Sequence, residues 1–153
     1  MSTVEQLVKA VPMDNGGQFG GRGLSFQRDW AICHLLELHL NDNNYIVIFE
    51  HHDDVTVTST DDSENLITFY QIKSKKSGNW SVGDLLKTAP KTENTPTSIL
   101  GKMFIKHFMF PECTIAVKFV SNMPLSLKGI SNVENDSEVC LENVDDKTKA
   151  KIS

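Results

Sequence analysis

The sequence predicts an α/β domain, a mixed β-sheet flanked by helices with its core elements in the order α-β-β-β-α-β. Three observations carry this. Residues 24–40 repeat apolar side chains at helical spacing. Residues 45–74 hold three short runs rich in β-branched and aromatic residues, parted by polar clusters. A second helical run over residues 97–110 stops at Pro111 and is followed by the strand-like CTIAVKFV. Helical and strand periods that alternate in this way build a sheet covered by helices.

Composition narrows the class of protein. A chain of 153 residues, 39% of them apolar, is long enough for one ordinary core. No apolar run is long enough to cross a bilayer, and MSTVEQLVKAVP has no signal-peptide core, so a cytoplasmic location without membrane attachment is expected. Cys33, Cys113 and Cys140 are scattered, with no CxxC, which fits a reducing compartment better than a disulfide framework or a zinc site. A net charge of −5 argues against coating nucleic acid by bulk charge; binding to DNA would need a local patch.

Taken in order, residues 1–23 read as a flexible leader. A short amphipathic start (Val4, Leu7, Val8) runs into DNGGQFGGRG, whose glycines lack both a preceding strand and the GK[ST] ending of a phosphate loop. The helix of residues 24–40 is apolar around most of its circumference and is expected to be buried. Gln27, His34 and Glu37 form its polar stripe, facing either solvent or a site. HLLELH does not space its histidines as a zincin does.

Asn41 to Asn44 make a turn, and residues 45–49 are a compact apolar strand. EHHDD follows. Residues 54–60 then alternate, Val55 and Val57 on one face, Asp54, Thr56 and Thr58 on the other. Residues 61–65 are a turn cluster. Residues 66–74 form the partner strand, with Ile67, Phe69, Gln71 and Lys73 on one face and Leu66, Thr68, Tyr70 and Ile72 on the other. A turn centred near Asp62 and Ser63 sets Asp54 opposite Gln71, and opposed residues of an antiparallel pair share a face. Asp54, Gln71 and Lys73 should therefore converge, with Glu50 or Glu37 arriving from a neighbouring element. A register slip of one residue would bring Asp53 in place of Asp54.

This set suits phosphodiester hydrolysis. A divalent cation neutralises the phosphate and activates a water, and Mg²⁺ takes hard oxygen ligands, usually one or two carboxylates plus water. Asp54 offers a carboxylate, Gln71 an amide oxygen and Ile72 a carbonyl, while Lys73 can orient the water or stabilise charge on the phosphate. The bland reading is a turn device followed by a solvated strand.

The series Gln27, EHHDD, QIKSKK and Trp80 is where a family resemblance enters. An E-x(2,3)-D followed by a hairpin and QxK resembles the PD-(D/E)xK nuclease superfamily, with Gln in place of the usual acid. GRGLSFQ, FEHHDD and YQIKSKKSGNWSVGDLL, over about residues 20–122, look like the N-terminal nuclease domain of CD-NTase-associated protein 4, the double-stranded DNA endonuclease of bacterial anti-phage systems, also met in Lamassu-type effectors. The resemblance implies a restriction-endonuclease-like fold and Mg²⁺ (or Mn²⁺) as cofactor. It implies Asp54, Gln71 and Lys73 as catalytic core, with Glu50 as an adjunct and Glu37 as a looser match for the helix carboxylate. It also implies a C-terminal sensor region or partner complex, and an oligomer when active.

Beyond the hairpin, Lys75, Lys76, Lys87 and Lys91 make a basic run suited to a DNA backbone, or else an ordinary solvated surface. Trp80 is expected to dock on the core, and residues 81–86 to form a short helix capped by Ser81. Residues 87–96 read as loop. An acidic stretch over residues 123–153 ends in KTKAKIS, which reads as the opening of a further helix and so as truncation before a sensor or partner-binding region. The competing functional class is a non-catalytic nucleic-acid-binding or assembly module that keeps the fold.

Overall fold

The computed structural model describes residues 3–10, 21–41, 44–60, 66–88 and 98–126. Helix α1 (Thr3–Lys9) is followed by α2 (Gly21–Asn41), strands β1 (Tyr45–Phe49), β2 (Val55–Ser59) and β3 (Ile67–Lys73), then β4 (Trp80–Ser81), α3 (Val82–Leu86), α4 (Ile99–Met109), β5 (Thr114–Ser121) and β6 (Leu125–Ser126). The main sheet has the order β1-β2-β3-β5. β1, β2 and β3 are antiparallel neighbours, and β5 joins β3 in parallel after the crossover through α3 and α4. This is the expected mixed sheet flanked by helices, and it is consistent with a restriction-endonuclease-like fold.

Strand parity sorts the core into two layers. Val55, Tyr70 and Ile72 pack with Ala31, Phe26 and Trp30 of α2. Ile67 and Phe69 point the other way, onto Leu7 of α1, Phe110 and Cys113. Residues 3–9, expected within a flexible leader, thus form a helix whose Leu7 is 0% exposed. Alternate residues of β3 serve opposite layers because successive strand side chains leave opposite faces of the sheet.

α2 is not buried all round, as its composition led us to expect. Ile32, Leu36 and Leu40 are exposed. They recur four residues apart and so form one stripe, on the side of the helix turned away from the sheet. A helix lying on one sheet face can bury only its facing side.

Thr56 and Thr58 occupy buried positions of β2 with hydroxyls that have no hydrogen-bond partner among the described residues. An unsatisfied buried hydroxyl is costly, and valine keeps the β-branched shape without it. Thr58→Val is expected to raise stability by up to ~1 kcal/mol, or roughly 2–4 °C in Tm, read by thermal denaturation.

The expected Ser81 cap is in place, and α4 carries a cap that was not expected. Ser81 caps α3 in a reciprocal capping box with Asp84, and Ser98 caps α4 by accepting from Gly101 N. The expected turn at residues 61–65 and most of the loop at 87–96 fall outside the described residues.

Candidate active site

The site sits where β1 and β3 end and β2 begins. β2 and β3 pair Val55 with Tyr70 and Thr56 with Phe69, the register that sets Asp54 beside Gln71. One carboxylate oxygen, Asp54 Oδ2, accepts from Gln71 Nε2 at 2.6 Å, from the Ile72 amide at 2.6 Å and from Lys73 Nζ at 3.0 Å. These are charge-assisted bonds at a half-buried acid. Gln71 Nε2 is spent on Asp54, which leaves its amide oxygen for a second partner.

Glu50 reaches the same end of the sheet by an uncommon backbone. Its φ is 52°, the one positive value at a non-glycine among the described residues. The left-handed region costs a residue with a Cβ about 1 kcal/mol or more. That turn lets the chain leave β1 and aim the Glu50 side chain at α2, where its carboxylate accepts from Gln27 Nε2. The Glu50 amide closes the connection by donating to the Asp54 carbonyl at 3.3 Å. Glycine relieves the backbone and alanine does not, so Glu50→Gly should be about 1 kcal/mol more stable than Glu50→Ala in denaturant titration. The opposite order would show that no backbone strain is held there.

The two acids act on each other. Burial, and after it the Asp54 charge, raise the Glu50 carboxyl above its usual range, while the Gln27 hydrogen bond and the Lys73 charge oppose the rise. Asp53 faces inward. Its Oδ1 accepts from the Asp54 amide at 3.0 Å, and its Oδ2 is buried without a hydrogen-bond partner among the described residues. Burial pushes Asp53 up to about 6, against the charge of the buried Lys106. The same connection thus turns one aspartate toward Gln71 and Lys73 and the other toward the interior.

A protein-family model described as "Cap4, dsDNA endonuclease domain" matches residues 15–153. The chain belongs to this nuclease family. It is a phosphodiester hydrolase whose substrate is double-stranded DNA. No curated protein and no solved structure matches it.

Of the positions expected at the site of this Cap4-family nuclease, the structure gathers Asp54, Gln71 and Lys73, with Glu50 beside them through Gln27 and the closed connection. It does not gather Glu37. That residue lies nearly three turns beyond Gln27, about 15 Å along α2, and its side chain is 73% exposed. Its neighbour is His34 Nδ1 at 3.6 Å. His34 in turn stacks on Trp30 and meets the Tyr70 hydroxyl at 3.0 Å through Nε2. The polar stripe of α2 therefore divides: Gln27 serves the site, His34 supports Tyr70, and Glu37 faces solvent.

The basic run of the nuclease divides as well. The Lys75 ammonium is engaged internally, donating to Asp84 Oδ2 at 2.8 Å and to the Asn79 carbonyl at 3.1 Å, and lying 4.4 Å from the Trp80 ring centre. This bond to Lys75, followed by those from the Ser81 hydroxyl and amide, holds Asp84 down at about 2. The Asn122 side chain bridges the Lys75 amide and carbonyl, both at 2.9 Å. Trp80 docks as expected, edge-on to Phe119 with its Nε1 donating to Ser121 Oγ. Lys76 and Lys87 are exposed, and Lys91 lies outside the described residues.

Three residues at or behind the site carry no sequence signal of that role: Gln27, His51 and His52. Gln27 was noted only as part of a polar stripe, and its pairing with Glu50 depends on how α2 lies on the sheet. His51 and His52 both reach the Leu7 carbonyl, at 3.1 and 2.7 Å. No sequence signal ties them to a helix more than forty residues earlier.

Proposed function

We propose that the chain is the metal-dependent effector domain of a bacterial anti-phage defence system, cutting double-stranded DNA at Asp54, Gln71 and Lys73. The observation that carries this is the single oxygen Asp54 Oδ2 shared by Gln71, the Ile72 amide and Lys73 at the end of the sheet. A carboxylate, an amide and an ammonium meeting there form the set needed to hold a divalent ion and a phosphate together.

The residues present fit a hard divalent cation. Among the described residues no three His, Cys, Asp or Glu side chains cluster as a metal site. Mg²⁺ needs no such cluster, since it is commonly held by one or two carboxylates with water and substrate oxygens. Glu50 and Asp54 raise each other's energy when both are ionised, which is the arrangement a cation relieves. We assign Asp54 and Glu50 as carboxylate ligands and the Gln71 amide oxygen as a third, for Mg²⁺ or Mn²⁺. Such an ion, when bound, neutralises the phosphate and acidifies a water. Lys73, hydrogen-bonded to Asp54, orients the water that adds to phosphorus as one ester P–O bond breaks, the water giving up a proton to solvent and the departing sugar oxygen taking one up. Its charge also stabilises the phosphate oxygens as negative charge grows on them.

Lys76 and Lys87 are the exposed cations we assign to the DNA backbone, with Lys91 following them in sequence; Lys75 braces the segment that presents Lys76. A C-terminal sensor region or partner complex that brings about an active oligomer, and a cytoplasmic location, complete the proposal on the strength of the family relationship. No described helix is long and apolar enough to cross a membrane. The test is plasmid cleavage by the intact protein with and without divalent ion, alongside the Lys73→Ala comparison developed in the Discussion. Cleavage undiminished in EDTA would overturn the metal-dependent reading.

A further inference from the structure

The β1–β2 connection carries both proposed metal-holding acids, and it is gripped from below by a helix that precedes the family match at residues 15–153. The last carbonyls of any helix lack partners within it. In α1, the Gln6 carbonyl accepts from the Ala10 amide at 3.0 Å. The Leu7 carbonyl instead accepts from His51 Nε2 and His52 Nε2. A carbonyl only accepts, so each bonded imidazole carries its proton on Nε2.

The grip is rigid on both sides. Leu7 is fully buried against Ile67, Phe69, Phe110 and Cys113. His52 is buried, with its ring edge-on to Phe110 at 5.2 Å. His51 and His52 lie between Glu50 and Asp54 in a connection closed by the Glu50 amide on the Asp54 carbonyl. Any shift of the two histidines therefore moves both acids.

We propose that α1 is a positioning element of the nuclease site: the Leu7 carbonyl, through His51 and His52, sets where Glu50 and Asp54 meet the divalent ion. The inference rests on the reading of those acids as metal ligands. His51 and His52 touch no reacting atom; they act through the acids that flank them. Residues that orient metal ligands from behind typically change metal affinity by about 10–100-fold when removed.

The experiment is Mn²⁺ binding to the intact protein, followed by electron paramagnetic resonance of the free ion, for the parent, His52→Leu, His52→Gln and His51→Leu. Glutamine can place an N–H near the position of Nε2, and leucine cannot. The expected result is a loss of about 10-fold or more in His52→Leu and recovery to within about 3-fold in His52→Gln, with duplex binding in EDTA unchanged in both. Parent-like Mn²⁺ binding by His52→Leu would overturn the proposal. If that variant does not fold, the less buried His51→Leu decides, with a loss of about 10-fold supporting the inference and parent-like binding ending it. A parent that binds no Mn²⁺ would instead sink the metal assignment itself, and the inference with it.

Discussion

Lys73→Ala is expected to cut duplex plasmid about 10²–10³-fold more slowly than the parent, while binding the same duplex within a few-fold. Lys73 is the only cation hydrogen-bonded to Asp54 among the described residues, and it shares its oxygen with Gln71 and the Ile72 amide. Removing a preorganised charge that acts on the transition state lowers the rate of chemistry more than it lowers ground-state binding. Folding should survive, because the lysine side chain is partly exposed and Asp54 keeps its bonds from Gln71 and the Ile72 amide. The measurement is supercoiled-plasmid cleavage in Mg²⁺, under conditions where the parent cuts, with duplex affinity measured separately in EDTA. A variant that cuts as fast as the parent would show that the site is wrongly assigned. Equal losses in binding and cutting would move Lys73 from the chemistry to the DNA interface.

The second large effect concerns stability and pH. Asp53 is pushed up to about 6, chiefly by burial, from an ordinary value of 3.8. The folded chain therefore holds this proton more tightly than the unfolded chain does. Stability should fall as pH rises from about 4 to about 6 and carry the full penalty above that window, with a total on the order of 2–3 kcal/mol. Asp53→Asn cannot ionise, and it keeps an oxygen for the Asp54 amide. In metal-free buffer at pH 8 this variant should be more stable than the parent by about that amount, with the gap closing near pH 4. Parallel denaturation curves for the two proteins across this range would show that Asp53 does not carry the charge penalty.

Local spacing accounts for what could be read beforehand. The β2–β3 pairing was legible because few residues separate the two strands and strict two-residue alternation leaves little freedom of register. Gln71 and Lys73 could therefore be placed together with Asp54 or its neighbour Asp53, and the observed register selects Asp54. The Ser81 cap was legible for a similar reason: Ser81 and Asp84 satisfy each other within one turn. Glu50 and Glu37 could not be separated in this way. Both are acids of the right type, and only the lie of α2 on the sheet puts Gln27 at the acid end while Glu37 rides far along the helix. The fate of Lys75 was equally hidden, since Asp84, Trp80 and Asn122 reach it only after the chain has folded back.

The sequence by itself determined the order of the main elements from α2 to β5, the faces of β2 and β3 and the meeting of Gln71 and Lys73 with an aspartate of the EHHDD stretch. Each follows from periods and turns that act within a few residues. Only the tertiary structure decided that Glu50 and not Glu37 joins them, that α2 leaves Ile32, Leu36 and Leu40 exposed, and that the Leu7 carbonyl holds His51 and His52. These depend on how separate elements pack, and packing is settled by the whole core at once rather than by any local run of residues.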